Sequence, residues 1–205
     1  QAEGLAEGGA DILWIETISA AEEMAAAVAG AARTGLPIVA TMTFDTSART
    51  MMGLTPADFA ALAPTLATTP SAIGANCGVG PAELAQTVLG LTEADTQAVI
   101  VAKGNCGIPQ YVDGAIVYDG TPEAMAVYAR IVRDAGARIV GGCCGSKPEH
   151  VRAIADALKG YVPGARPSME RITEDLGAPW ARAGSTPESV EDEGGRRRGR
   201  RRRAG

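Results

Sequence analysis

Histidine is almost absent from this chain of 205 residues, His150 being the single one. That excludes a His-rich metal site and makes a Ser-His-Asp triad a poor fit. Aromatic residues are only 4% against a hydrophobic fraction of 46%, so a globular core has to be built from Ala, Val, Ile and Leu. No apolar run is long enough to span a bilayer, and no signal-peptide pattern opens the chain. An initiator Met is missing too. Gln1-Ala2-Glu3-Gly4-Leu5 reads as a helix ending in the middle of something longer, with an N-terminal part expected ahead of it. The Gly-x-Gly-x-x-Gly turn of a dinucleotide-binding fold is absent after the first strand.

Cysteine is scarce but informative. The four are Cys77, Cys106, Cys143 and Cys144. Without a secretion signal, a chain of this size is no disulfide scaffold, and neighbouring cysteines bond to each other only under strain. Thiols free for metal or redox work in the cytoplasm are the expectation. The net charge of -5 hides an asymmetry: seven arginines lie in the last ten residues, and removing them from the 19 basic residues leaves 12 against 24 acidic ones. The body is acidic and the tail basic. Lacking interleaved aromatics, the tail reads as a solvated extension, not a nucleic-acid contact.

What the chain does have is alternation. Asp11 to Thr17, Leu36 to Phe44, Ser71 to Asn76, Gln97 to Lys103 and Arg138 to Val140 read as buried strands. Between and after them come helical stretches. One runs from Ser19 or Ala20 to about Arg33, one is capped by Thr55-Pro56-Ala57-Asp58, and one starts at Pro81. A fourth is capped by Thr121, and the last begins near Pro148 behind a Ser146-x-x-Glu149 capping pattern. Residues 109–120 read as a long loop. Five strand–helix units near 30 residues each predict an α/β fold with a parallel sheet and right-handed crossovers. Either a doubly wound sheet or part of a (β/α)8 TIM barrel satisfies this, the latter with about three further units before Gln1. From Tyr161 onward the prolines break the pattern. Residues 161–184 read as an extension whose Trp180 docks on the body, and 185–205 as a disordered Arg-rich tail.

Cys77, Asn105-Cys106 and Cys143-Cys144 each follow a strand, at the sheet end where α/β proteins place their chemistry. Three convergent thiolates suit a zinc ion with one open position, although spacing alone is weak support for it. The competing readings are small buried residues for Cys77 and Cys106, and a redox pair at Cys143-Cys144 with Cys106 as the resolving thiol. For Cys143-Cys144 mere packing is the weaker reading, because a G-G-C-C-G turn fills a core badly. His150 reads as a helix-turn residue, not a ligand.

Three segments, Gly74-Ala75-Asn76-Cys77-Gly78, Gly104-Asn105-Cys106-Gly107-Ile108-Pro109 and Gly141-Gly142-Cys143-Cys144-Gly145, together resemble the homocysteine S-methyltransferase family. Asp11 to Thr17 resembles that family's strand ending in Glu-Thr. The likeness spans roughly residues 1 to 160, and the K-G-N-C-G-I-P wording is closest to bacterial betaine–homocysteine methyltransferases. It implies the C-terminal part of a homocysteine-binding (β/α)8 barrel over residues 1–160. It also implies Zn²⁺ held by Cys77, Cys143 and Cys144, with Glu16 on homocysteine's amino-acid end. The implied reaction moves a methyl group from a small donor such as betaine to the homocysteine thiol, giving methionine. Zinc would keep that thiol ionised, which a free alkyl thiol with a pKa near ~8.5 is not at neutral pH. Asn105 is expected beside the metal, filling the fourth position through its side-chain oxygen when substrate is absent, or else bonding its own backbone in a turn. The family's opening Asp-Gly-Ala-x-Gly-Thr-like segment is absent, and alanine is common where Cys106 stands. The alternative function is a non-catalytic metal-binding or redox-sensing thiol protein. Five units do not close an eight-stranded barrel, so this piece is also expected to be vulnerable at its sheet edges and inactive if separated from its remainder. The methyl donor and the oligomeric state are not legible.

Overall fold

The structure, a computed structural model, describes residues 1–94 and 97–178. Five parallel strands form one sheet: β1 (Leu13–Ile18), β2 (Ile38–Met42), β3 (Ala72–Cys77), β4 (Val99–Gly104) and, after a hairpin, β7 (Ile139–Gly142). Their order in the sheet is their order in the chain. A doubly wound sheet reverses direction at a switch point, and none occurs among the described residues. Sequential winding with the helices on one side is that of a (β/α)8 barrel, of which this sheet forms an arc.

Strand parity explains why only one side carries helices. Ile38, Ala40 and Met42 of β2, Ile73 and Ala75 of β3, and Ile100 and Ala102 of β4 face the helices. They meet Met24 and Val28 of α2 (Ala21–Ala32), Phe59 of α3 (Pro56–Leu62) and Leu84, Val88 and Leu91 of α4 (Pro81–Glu93). Met125, Tyr128 and Ile131 of α5 (Pro122–Asp134) and Ile154 of α6 (Pro148–Leu158) complete that core. Alternate residues point the other way. Val39, Ala72 and Val101 form a separate small cluster with Trp14, Val99 and Ile139, and no helical residue belongs to it. That is the inner face of the arc.

The helix boundaries follow their caps. Thr55 and Asp58 make a reciprocal capping box at the start of α3, and the Thr121 hydroxyl accepts from Ala124 N–H at the start of α5. The start of α6 differs from expectation. Its cap is Lys147, whose N–H donates to His150 Nδ1 at 2.9 Å, while Ser146 Oγ is buried without a partner. His150 is therefore a capping residue.

Two elements were not read from the sequence. Residues 109–120 contain an antiparallel hairpin, β5 (Pro109–Val112) and β6 (Ala115–Tyr118), turning at Asp113-Gly114 with both φ angles positive. After Tyr161 the chain is tied back to the body. The Tyr161 hydroxyl donates to the Asp134 carboxylate, and Arg166 reaches Leu89 O at 2.7 Å and pairs with Glu93. Helix α7 (Met169–Leu176), capped by Ser168, then buries Ile172 in the main core. The N-terminal helix α1 (Ala2–Glu7) precedes β1. Trp180 and the Arg-rich tail lie outside the described residues.

Candidate metal centre

The sheet register brings the cysteine loops to one level. Cys77 pairs with Gly104, and Gly104 pairs with Gly142, so β3, β4 and β7 end side by side. Cys77 closes β3, and Cys143-Cys144 follow β7 directly. Backbone bonds then lace the loops. Cys143 N–H donates to Gly104 O at 2.7 Å, and Cys106 N–H donates to Cys144 O at 2.8 Å. Cys77 itself takes a left-handed backbone, φ +62°. Residues with a Cβ seldom do so outside sites where the surroundings enforce it. Gly78 follows with φ +73°, and a Cβ there would lie 2.5 Å from Phe44 O, so only glycine fits.

The result is a cluster of sulfurs. Ligand atoms of Cys77, Cys143 and Cys144 all lie within 4.8 Å of one another, and the Cys77 and Cys144 sulfurs are 3.7 Å apart. Zinc–sulfur bonds of about 2.3 Å in a tetrahedron place ligand sulfurs about 3.8 Å apart, so this spacing already suits a zinc ion. Burial first, then the hydrogen bond with Cys144 and the nearby Cys143 and Cys144 sulfurs, push the Cys77 thiol up to about 11, opposed by a hydrogen bond from Asn105. Three crowded sulfurs ionise together only around a compensating cation. The donor set therefore fits zinc in chemistry and in spacing. No disulfide joins any of them.

Asn105 sits between the loops and is fully buried. Its Nδ2 donates to Gly78 O at 2.9 Å, and its Oδ1 accepts from Cys144 N–H at 3.1 Å. It bonds the two cysteine loops together, not its own backbone. Cys106 stands apart from the cluster, buried, with its thiol donating to Gly120 O at 3.2 Å. Tyr118, the last residue of β6, covers Gly145, where a Cβ would meet its Cγ at 2.3 Å. Burial, and next its contact with the Cys144 sulfur, raises its phenol pKa.

Glu16 lies on β1, on the inner face with Trp14. The β1–β2 register slips between Ile15 and Ile18, and Thr17 has φ +64°. This bulge is pinned by buried Asn76, whose Oδ1 accepts from Thr17 N–H and the Thr41 hydroxyl while its Nδ2 donates to Thr17 Oγ1. Glu16 forms an ion pair with Lys103 of β4, and the Lys103 ammonium also stands 4.9 Å from the Trp14 ring centroid. A cleft of about 610 Å³ along β1 has Trp14 and Glu16 in its wall. Lys103 and Asn76 were missed from sequence. The available signal was parity: Lys103 continues the inward row of Val99 and Val101.

An open arc of parallel strands with three cysteines gathered at its C-terminal edge defines a class: a barrel-type α/β protein with a candidate metal site of three thiols. The comparisons narrow this. The sequence profile of the homocysteine S-methyltransferase family matches residues 1–158, and the chain belongs to that family. It is 31% identical over 175 residues to a methionine synthase of Mycobacterium leprae (strain TN), covering 82% of this chain and 14% of that protein. A methionine synthase of Mycobacterium tuberculosis (strain ATCC 25618 / H37Rv) is 31% identical over 162 residues, 76% of this chain and 13% of that protein. The chain thus spans a small part of these relatives. The apo crystal structure of the homocysteine methyltransferase MmuM from Escherichia coli superposes with a TM-score of 0.61 at 24% identity, covering 76% of this chain and 52% of that one. This last likeness is one of fold.

Proposed function

We propose that the chain carries the zinc and homocysteine sites of a methyltransferase that moves a methyl group from a small donor, betaine or a similar compound, to the homocysteine thiol, giving methionine. The observation that carries this reading is the convergence of Cys77, Cys143 and Cys144 within 4.8 Å at the strand ends. Those three residues would hold the metal. Zinc bound there supplies the Lewis acidity that keeps a substrate thiol ionised at neutral pH.

The chain's own residues set up that chemistry. Asn105 fixes the position of Cys144 relative to the Cys77 loop through its two hydrogen bonds. Its oxygen keeps a second lone pair for a vacant coordination position. Tyr118 covers the Gly145 side of the cluster. Glu16 offers a carboxylate on the inner face for the ammonium group of homocysteine. Direct displacement at the methyl carbon needs no general base, in keeping with a site that contains no histidine ligand. Among the described residues no helix is long and apolar enough to cross a membrane; action in the cytoplasm is part of this proposal.

The test supplies the protein with zinc, homocysteine and each of betaine, S-methylmethionine, methyl-cobalamin and methyl-folate, and reads methionine formed. Because β1 and β7 are the edges of the sheet, the same panel is run on a version extended at the N-terminus. Methionine from one donor, abolished by Cys143→Ser, is the expected result. Absence of bound zinc together with reversible oxidation of Cys143 and Cys144 would instead favour a redox-sensing thiol protein.

A further inference from the structure

We infer that Lys103 determines acceptor specificity. Together with Glu16 it forms a two-charge cradle for the zwitterionic head of an α-amino-acid thiol, with Lys103 taking the carboxylate and Glu16 the ammonium. This rests on the reading of homocysteine as the methyl acceptor, and adds a residue and a selection rule to it.

The placement of the lysine is unusual for a strand. Val99 and Val101, the residues of β4 with the same parity, belong to the small apolar cluster of the inner face. Lys103 puts an ammonium next in that row, its side chain 23% exposed. A charge so placed needs compensation. It finds it far away in the sheet, on β1, with β2 and β3 lying between. The neighbours leave room. Gly141 is directly in register with Lys103, and a Cβ there would come within 3.6 Å of the lysine Cγ. Gly74, on the intervening β3, also carries no side chain. A partly exposed Lys–Glu pair adds little net stability.

The pair leaves valences open. An ammonium has three hydrogens and a carboxylate two oxygens, while the recorded bond joins Lys103 Nζ to a single oxygen, Glu16 Oε1. No further hydrogen bond to either charged group occurs among the described residues. A zwitterion beside the pair closes a ring of four alternating charges, in which each charge faces two of opposite sign. An amine or an acid alone completes only half of it.

The register starts the Lys103 side chain close to the cysteine loops. Lys103 pairs with Asn76 and with Gly141, one residue before Cys77 and two before Cys143. Each strand residue advances about 3.3 Å. Homocysteine separates its sulfur from its charged head by two methylene groups and Cα, so with its sulfur among the cysteines its head would lie along the inner face. Glu16 is 38% exposed in its side chain, so a solute reaches it.

The test is calorimetric binding to the zinc-loaded full chain with three thiols: homocysteine, 3-aminopropanethiol, which lacks the carboxylate, and 4-mercaptobutanoate, which lacks the ammonium. Wild type should bind homocysteine tightest. Lys103→Met should weaken homocysteine and 4-mercaptobutanoate by about tenfold to a hundredfold and should not weaken 3-aminopropanethiol. Lys103→Arg should restore carboxylate binding, and Glu16→Gln should show the mirror-image selectivity. Equal losses for all three thiols in Lys103→Met, with zinc content and circular dichroism unchanged, would make Lys103 a structural residue and overturn the inference. If Lys103→Met does not fold, wild type decides alone: homocysteine bound no tighter than 3-aminopropanethiol overturns it. Failure of the zinc-loaded wild type to bind any of the thiols, in this chain and in the N-terminally extended version alike, removes the methyl-acceptor reading itself, a result distinct from loss of selectivity.

Discussion

The two faces of the sheet are made by the same strands and do opposite things. The helix-facing side is continuous apolar packing, with Met24, Phe59, Ile73, Leu91 and Tyr128 all essentially inaccessible. The inner side has a small apolar floor of Val39, Ala72 and Val101, above which stand Thr41, Asn76, Glu16 and Lys103 and then the cysteine loops. Parity alone separates them, since successive strand residues point to opposite faces. The lesson is a division of labour. The fold rests on one face, which frees the other to hold charges and sulfurs that would weaken a core. Even the strained backbone of Thr17 and Cys77 falls one residue beyond the last inner-face residues of their strands, Glu16 and Asn76.

That division predicts separable losses. The largest effect is on metal. Cys144→Ser should abolish zinc retention, read by metal analysis after dialysis, while moving the stability of the metal-free chain by less than about 0.5 kcal/mol, because the residue is exposed. If the metal-free chain unfolds instead, the faces are not independent. Next comes the opposite face. Phe59→Ala should cost about 3–5 kcal/mol in urea unfolding, with zinc per folded molecule unchanged. A smaller effect probes the seam between the faces. Tyr128 is fully buried and its hydroxyl accepts from Gly104 N–H at 2.9 Å. Tyr128→Phe leaves that N–H unpaired and should cost about 1–3 kcal/mol. Because Gly104 O also holds Cys143, chelator competition should show faster zinc loss in this variant. The smallest is Thr55→Ala, which removes the α3 cap; it should cost about 1 kcal/mol with no change in zinc affinity.

Much of this was legible in the sequence, for identifiable reasons. The strands are dense apolar runs bounded by Gly and Pro, and thiols at the end of β3 and just after β7 must share the rim of a parallel sheet. Alternation alone fits either a barrel or a doubly wound sheet; the resemblance carried by the cysteine motifs implied the barrel, and the strand order bears it out. The hairpin was read as loop although Asp113-Gly114 is a turn signal between β-prone residues. Its strands are short, and Tyr111 and Ile116 are exposed, so no buried periodicity marks them. Helix α7 escaped because it is only eight residues long and follows Pro163 and Pro167, although its Ser168 cap and amphipathic spacing were there to read. The Glu16–Lys103 pair escaped for a different reason: it joins residues 87 apart in sequence across two intervening strands, a contact that no local rule anticipates. The left-handed angle at Cys77 has no sequence mark either, because glycine or asparagine usually announces it.

X-ray absorption at the zinc edge tests the central claim most directly. The account predicts one zinc per chain with three sulfur neighbours at about 2.3 Å and one lighter neighbour, a fourth sulfur on adding homocysteine, and one sulfur fewer in any variant that still retains metal after Cys77→Ser, Cys143→Ser or Cys144→Ser. A shell of nitrogen and oxygen alone, or a sulfur count that Cys77→Ser leaves unchanged, would contradict it.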